Sequence, residues 1–265
     1  MNTKRIIVFR FDRDPLISRG RVQLLRALNP GVPIYGVFGG DRGYKRALHR
    51  LAGTSALRLD GLYCSPRGAE WNWKNGDLVL ADWYRETGHR IDFEVAHLVE
   101  WDLLLVDSLA NVYAQVPKGA VGLTCVTPLS LIEHDWTWLR HEEGRRQWEE
   151  LLRHAQGEWS YDDVPQACLG VGPCFPRSFL ARYSLIDATE LCHDELRLPL
   201  FTQILGFPIA ETGFRSHWFD RGDDRFFNVG GPEIDPRAIA TELSVPTGRR
   251  AFHPYRRATK GLRPI

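Results

Sequence analysis

Ile6-Ile7-Val8-Phe9 is an unbroken apolar run near the start of the chain, the pattern of a strand buried on both faces. It runs into a dense polar cluster, Arg10, Asp12, Arg13 and Asp14, before Pro15. Arg21 to Leu28 has helical spacing and stops at Asn29-Pro30-Gly31, a helix terminator. Pro33 to Phe38 predicts a second strand, Tyr44 to Leu51 a helix, Leu57 to Tyr63 a third strand and Asp77 to Thr87 an amphipathic helix. Phe93 to Leu98 reads as a connecting strand. Leu103-Leu104-Leu105-Val106, reached through Glu100-Trp101-Asp102, reads as a short strand buried on both faces that ends abruptly on Asp107. Strands alternating with helices in this way predict a right-handed, wound α/β sheet.

The second half is less regular. Ala120 to Val126 predicts a strand, and Trp138 to Gln156 a long polar helix. Pro165 to Cys174 predicts a strand carrying Gly170-Val171-Gly172-Pro173, and a helix begins at Ser178. Leu196 to Leu205 predicts a helix closed by Gly206, and the last 50 residues, rich in Arg, Gly and Pro, read as loops with short extended pieces. With no repeat and no long linker, one domain over 1–265 is the simplest organisation. It divides into a nucleotide-binding first half, 1–115, and an irregular second half, 116–265, that closes over it.

Composition narrows the class. Hydrophobic residues are 43% and charged residues 25% of the chain, which describes an ordinary globular protein and not a disordered one. A net charge of +1 provides no global field to recruit nucleic acid or an anionic membrane. The five cysteines form no Cys-x-x-Cys pair, which predicts reduced thiols and a cytoplasmic location. Only four apolar residues follow Lys4-Arg5, too few for a secretory signal, and no run approaches the roughly 20 needed to span a membrane.

Several groups could carry chemistry. Arg10, Asp12 and Arg13 lie beyond the first strand, where α/β sheets place nucleotides, and guanidinium groups suit phosphate oxygens. The same residues also suit a solvated loop with internal ion pairs. Asp107 can hold a divalent metal, or simply cap the next turn. Lys74, one of only five lysines, precedes a helix N-terminus that favours anions. Gly172 lies in a glycine-rich strand-to-helix segment that would let backbone approach a ligand. Asp194 and Glu195 open an apolar helix. They suit either a favourable macrodipole contact or a general base, with Arg197 close enough to tune them. His253, held by Pro254, can be structural or can reach back as a metal ligand. The nine tryptophans, Trp136, Trp138 and Trp218 among them, suit either a sugar-stacking platform or the core.

Taken in order, these features resemble the GT-A fold of nucleotide-sugar glycosyltransferases over most of the chain. The resemblance implies a Rossmann-related α/β domain with a mostly parallel central sheet flanked by helices and a loop-rich C-terminal part. Asp107 is similar to one member of that family's acidic metal–diphosphate motif; Leu105 and Leu109 stand where a second acid would be. Gly170-Val171-Gly172-Pro173 resembles its glycine loop, Asp194-Glu195 its acidic pair, and His253 its C-terminal metal-binding histidine. The implied reaction is inverting transfer of a sugar from a nucleoside diphosphate sugar, UDP favoured, to an acceptor hydroxyl. Arg10, Asp12, Arg13, Lys74, Asp107 and Gly172 would hold the donor. Asp107 and His253 would hold Mn²⁺ or Mg²⁺, and Glu195 or Asp194 would act as base. The acceptor could be a glycan, a protein, a natural product or a modified DNA base. A sugar-nucleotidyltransferase and a non-catalytic nucleotide-sugar-binding module are the competing readings. The former would normally have a glycine-rich loop after strand one, and Arg10 to Asp14 contains no glycine.

Overall fold

In the computed structural model, which describes residues 3–12, 15–41, 57–186 and 188–259, the apolar runs become strands of one sheet. In chain order the elements are β1 (Arg5–Phe11), α1 (Pro15–Leu28), β2 (Ile34–Phe38), β3 (Gly61–Cys64), α2 (Ala69–Lys74), α3 (Gly76–Glu86), β4 (Val95–Glu100), β5 (Leu104–Leu105) and α4 (Leu109–Val112). They continue with β6 (Val121–Pro128), α5 (Thr137–Arg140), α6 (Glu142–Trp159), β7 (Gln166–Pro176), α7 (Arg177–Tyr183), α8 (Asp194–Ile204), β8 (Ile209–Glu211), α9 (Pro236–Leu243) and β9 (Ala251–Phe252). The central sheet has seven strands in the order β3-β2-β1-β4-β7-β6-β8. β1, β2, β3 and β4 are mutually parallel, β7 runs antiparallel to both β4 and β6, and β8 is parallel to β6. This is the expected α/β architecture, with a mostly parallel central sheet flanked by helices. The β4–β7 ladder makes one sheet from strands of both halves.

β1 shows why these runs are continuously apolar. Ile6 and Val8 pack on one face with Val79, Trp83, Phe175 and Phe201; Ile7, Phe9 and Phe11 pack on the other with Val22, Leu25 and Phe38. A strand covered on both faces has no position where a polar side chain meets water.

Four expectations change. Phe93 to Leu98 is no connector: its strand is β4, at the centre of the sheet beside β1. The Leu103–Val106 run lies outside that sheet. Only Leu104 and Leu105 are extended, paired with β9 in a separate two-stranded ribbon. Its side chains are apolar because the ribbon is buried against a third apolar cluster containing Leu24, Phe226 and Ile239. The long polar helix is broken at His141, whose backbone is extended, into α5 and α6. A Cβ on Gly144 would lie 1.7 Å from the Trp138 carbonyl, so the break is tightly packed. The loop-rich tail contains α9, capped by Asp235 with a proline in its first turn. The helix expected at Tyr44 to Leu51 lies outside the described residues. No described helix is long and apolar enough to cross a membrane, and all five cysteines are free thiols.

Two fully buried arginines tie the layers together. Arg197, on α8, forms a double hydrogen bond to Asp77 on α3, Nε to Oδ2 at 2.9 Å and NH2 to Oδ1 at 2.6 Å. Its remaining donors reach Asn75 Oδ1 and the Leu191 and Cys192 carbonyls, and Tyr183 donates to Asp77 Oδ2 at 2.5 Å. Arg21, on α1, donates to the Trp101 carbonyl just past β4 and to the Tyr255 carbonyl just past β9. Breaking a buried pair strands a charge without a partner and costs about 3–5 kcal/mol. Asp77→Ala and Arg197→Met are each expected to lower the free energy of urea unfolding by that amount. The double variant should cost clearly less than the sum. Additive losses would mean the two side chains act independently.

Candidate functional site

β1 leads by crossover to β2 and then β3 on one side, while β4 lies on the other, so the winding direction reverses between β1 and β4. Crevices at such reversals, beyond the carboxyl ends of the strands, are where open α/β sheets bind ligands. Here β1 ends in Arg10, Phe11 and Asp12, and β4 ends in Glu100, followed by Trp101 and Asp102. Trp101 N–H donates to the Arg10 carbonyl, which carries the ladder to the lip of the crevice.

Glu100 and Asp102 form an acidic-x-acidic motif at this lip. Glu100 is buried; Arg10 NH2 lies 3.6 Å from its Oε1, and its Oε2 accepts from the Gly172 N–H at 3.1 Å. Burial pushes its carboxyl above the ordinary value, against the pull of Arg10. Asp102 is held below the carboxylate norm: His253 and Arg256 outweigh the cost of burial. Its Oδ1 stands 3.5 Å from His253 Nε2, and its Oδ2 accepts from Arg256 Nε at 3.3 Å. His253 Nδ1 faces the Asn228 carbonyl at 2.7 Å. That partner must accept, so Nδ1 carries the proton and, in the neutral ring, the Nε2 lone pair points toward Asp102.

The second wall is the start of α8. His193 Nδ1 lies 2.7 Å from Asp194 Oδ1. Glu195 Oε2 accepts from Trp138 Nε1 and Oε1 from the Gly170 N–H, each at 3.1 Å. Trp138 stacks on the His193 ring at 4.3 Å, and the half-exposed Trp73 meets the same ring edge-on at 5.4 Å. The charges of the acidic pair split. Burial would raise Asp194, but His193, Arg10 and Arg197 hold it below the usual range. Burial raises Glu195 against the lowering pull of His193, with Asp194 adding to the rise.

Arg10 joins the two walls. A Cβ built on Gly76, the first residue of α3, would lie 1.7 Å from Arg10 NH1 and 2.7 Å from Asp194 Oδ2. Only glycine there leaves room for the guanidinium and the carboxylate side by side, where the Arg10 charge lowers Asp194. Arg10 NH1 is buried without a hydrogen-bond partner, as are Glu100 Oε1 and His193 Nε2. Unpartnered buried donors and acceptors concentrated in one crevice mark a place built for a ligand.

The structure thus brings Arg10, Asp194, Glu195 and His253 to one rim, with Asp12 half-buried just past β1. Lys74 stands at its edge, donating to Gln147 Oε1 at 3.2 Å. Gly172 supports the rim from within the sheet: at φ +66° a Cβ would lie 2.6 Å from the Phe214 ring, and its amide holds Glu100. Arg13 lies outside the described residues. Asp107 is elsewhere. It precedes Ser108, the N-cap of α4, accepts from Ser108 N–H and Asn111 Nδ2, and borders a small cavity with Arg249 and Arg250. Because β5 and β9 are antiparallel, the chain beyond Leu105 runs away from His253, so Asp107 and His253 are not brought together. Arg197 makes its ion pair with Asp77, and from there its charge helps to lower Asp194. Glu100 and Asp102 were the missed residues. Their spacing was visible, but His97 interrupts the apolar run of β4 and made 103–106 the stronger strand signal.

No protein-family model matches the sequence, and no curated protein matches it. Among solved structures, the apo structure of the bifunctional glycosyltransferase WbbM aligns over 96% of this chain and 46% of that chain, with 10% sequence identity and a TM-score of 0.44. The chain therefore spans less than half the length of that protein, and the likeness says nothing of the site.

The His193–Asp194 pair carries its own pH signature. Asp194 overrides the effect of burial and raises His193 above 6.5. The histidine's stabilisation is therefore complete below that ordinary value and is lost as pH rises through the raised folded value. Asp194 sits below 3.8, so its share is complete above that and lost as pH falls through the folded value. The unfolding free energy of the wild type minus that of His193→Gln should be largest between about pH 4 and 6.5 and shrink toward alkaline pH. A difference that grows above neutrality would show that the ion pair is not formed.

Proposed function

We propose that this chain is a glycosyltransferase that moves a sugar from a nucleoside diphosphate sugar, UDP favoured, to an acceptor hydroxyl with inversion. The observation that supports this most is the convergence, at the β1–β4 reversal, of an acidic-x-acidic lip, an unsatisfied arginine and a separately buried acidic pair. Metal–diphosphate binding needs a carboxylate that stays ionised, and proton abstraction needs one of higher basicity; Asp102 on one wall is lowered and Glu195 on the other is raised.

The residues present fit a divalent cation in part. Asp102 Oδ1 and His253 Nε2 are close enough to ligate one ion, and the Asn228 carbonyl orients the imidazole as metal-bound histidines require. No group of three or more His, Cys, Asp or Glu side chains that could hold a metal occurs among the described residues, so donor oxygens would complete the shell. Bound there, Mn²⁺ or Mg²⁺ would supply neutralisation of the diphosphate charge.

The chain's own groups do the rest. Arg10 NH1 donates to a phosphate oxygen and supports the departing diphosphate. Glu195, oriented by Trp138 and the Gly170 amide, takes the proton of the acceptor hydroxyl. As it does so, the acceptor oxygen bonds to the anomeric carbon and the bond from that carbon to the diphosphate oxygen breaks. The raised Glu195 carboxyl is the better-matched base at neutral pH, while Asp194, ion-paired, stays ionised and positions His193 and Arg10.

UDP is expected to raise the melting temperature, and more so with Mn²⁺. Asp102→Asn and His253→Ala should each remove the Mn²⁺-dependent increment, non-additively, while Asp107→Asn keeps it. No shift with any nucleoside diphosphate, with or without metal, would rule out the donor site. Glu195→Gln is expected to slow turnover by about 10²–10⁴-fold with UDP binding near wild type. If Glu195→Gln and Asp194→Asn both turn over at the wild-type rate, the acidic pair is only a helix cap.

A further inference from the structure

A cavity of about 500 Å³ opens on the second half of the molecule, between the end of β6 and the loop 216–220. One wall is Cys125, Val126 and Thr127 with Leu131 and Ile132; the other is Ser216, His217, Trp218, Phe219 and Asp220. Its volume lies within the range of about 300–1,000 Å³ usual for small-molecule sites.

Both walls are held rigid from behind. Arg215 is buried, and its guanidinium donates to the carbonyls of His217 (2.8 Å), Trp218 (2.9 Å) and Asp220 (2.9 Å). It also reaches the Phe227 carbonyl and Asp224 Oδ1, while Ser216 N–H donates to Asp223 Oδ2. Three of the five bonds of this side chain thus hold the 216–220 loop, and the other two tie it to Asp224 and Phe227. Opposite, Cys125 has φ +55°, at a break in the β6–β7 register. The Cys125 and Val126 amides donate to the Glu211 carboxylate, which fixes that irregularity.

The loop's side chains are not spent on this framework. Ser216 and His217 are exposed, Phe219 is 53% exposed, and Trp218 is half-buried. A loop pinned by a buried arginine while its aromatic side chains stay at the surface is pre-organised for contact. Trp218 packs edge-on against Trp136 at 5.1 Å. Trp136 leads into α5, whose Trp138 donates to Glu195. The cavity therefore borders the acidic pair's own supports.

We infer that this cavity is the acceptor subsite and that it takes a carbohydrate ring, an inference that rests on the transferase reading. An aromatic face with hydroxyl, imidazole and carboxylate groups around it matches a sugar, which has apolar C–H faces and a polar rim. A purely apolar guest would cover the polar groups of Ser216 and His217 without meeting them.

The test separates binding of acceptor from binding of donor. Wild-type protein is probed on a printed glycan array, with free octanol as an apolar control followed by tryptophan fluorescence, and UDP–Mn²⁺ thermal shift is measured in parallel. Glycan binding is expected, weakened about tenfold in Trp218→Ala and in Phe219→Ala, the scale of one aromatic contact. The UDP–Mn²⁺ shift should be unchanged in both variants. Trp218→Ala touches the core through Trp136; the exposed Phe219→Ala does not, and it keeps the test valid if the former misfolds. No glycan bound by wild type, undiminished binding by Phe219→Ala, or binding of octanol alone would each overturn the proposal. Glycan binding that persists while no nucleoside diphosphate binds would instead refute the transferase reading and leave a lectin-like site.

Discussion

The Arg197–Asp77 pair is the contact on which the arrangement of the crevice depends. Burying a guanidinium is costly unless its donors are met. Arg197 meets that demand by drawing in the α3 start through Asp77, the preceding turn through Asn75, and the approach to α8 through the Leu191 and Cys192 carbonyls. Asp194 and Glu195 begin α8 one turn or less from this anchor, so the network helps to set their backbone position. Gly76 and Asp77 are adjacent, so the same network places the glycine that leaves room for Arg10 beside Asp194.

The pattern repeats. Arg21 gathers the Trp101 and Tyr255 carbonyls, and the Tyr255 amide donates to the Asp102 carbonyl, which brings the ends of β4 and β9 together. Asp102 and His253 meet for that reason. Arg215 does the same for the 216–220 loop. A planar fork of five donors suits this work better than an ammonium, because it can satisfy several carbonyls in fixed directions at once. Arg21, Arg197 and Arg215, the buried arginines among the described residues, thus serve as internal scaffolding and not as a surface for anions.

This is also where the sequence was hardest to read. The strands of the first half were legible because burial on both faces leaves an unmistakable run, as at Ile6–Phe9. The acidic pair was legible because it precedes an apolar helix. Leu103–Asp107 misled because a buried ribbon outside the sheet has the same apolar signature as a sheet strand; only its partner, β9, distinguishes it, and that pairing is long-range. His97 hid β4 in the opposite way. It is fully buried, its Nε2 lies 3.0 Å from Arg5 NH1, and burial pushes its pKa down to about 3, so a residue that reads as polar is a neutral core group. Which arginines point inward has no local signature, since the carbonyls that satisfy them come from distant segments.

The two acids at the start of α8 show why both walls are needed. In isolation, adjacent carboxylates at a helix N-terminus would both be stabilised as anions. Here the surroundings differ on an atomic scale: Asp194 lies 2.7 Å from His193 and feels Arg10, while Glu195 lies 3.8 Å from His193 and is held by an indole N–H and one backbone amide. Full charges stabilise an anion more than neutral donors do. The positive charge in the crevice therefore collects on Asp194, and Glu195, desolvated and beside a neighbour that is already negative, is the group left to take up a proton. Arg10 contributes to this split from the opposite wall, where it also contacts Glu100. Placing a guanidinium with an unmet donor between two carboxylates of different pKa couples whatever anion enters the crevice to the basicity of Glu195. An entering phosphate that draws Arg10 away from Asp194 would weaken the stabilisation of the Asp194 anion. The binding of an anion in the crevice and the proton affinity of the acidic pair are thus linked through one side chain.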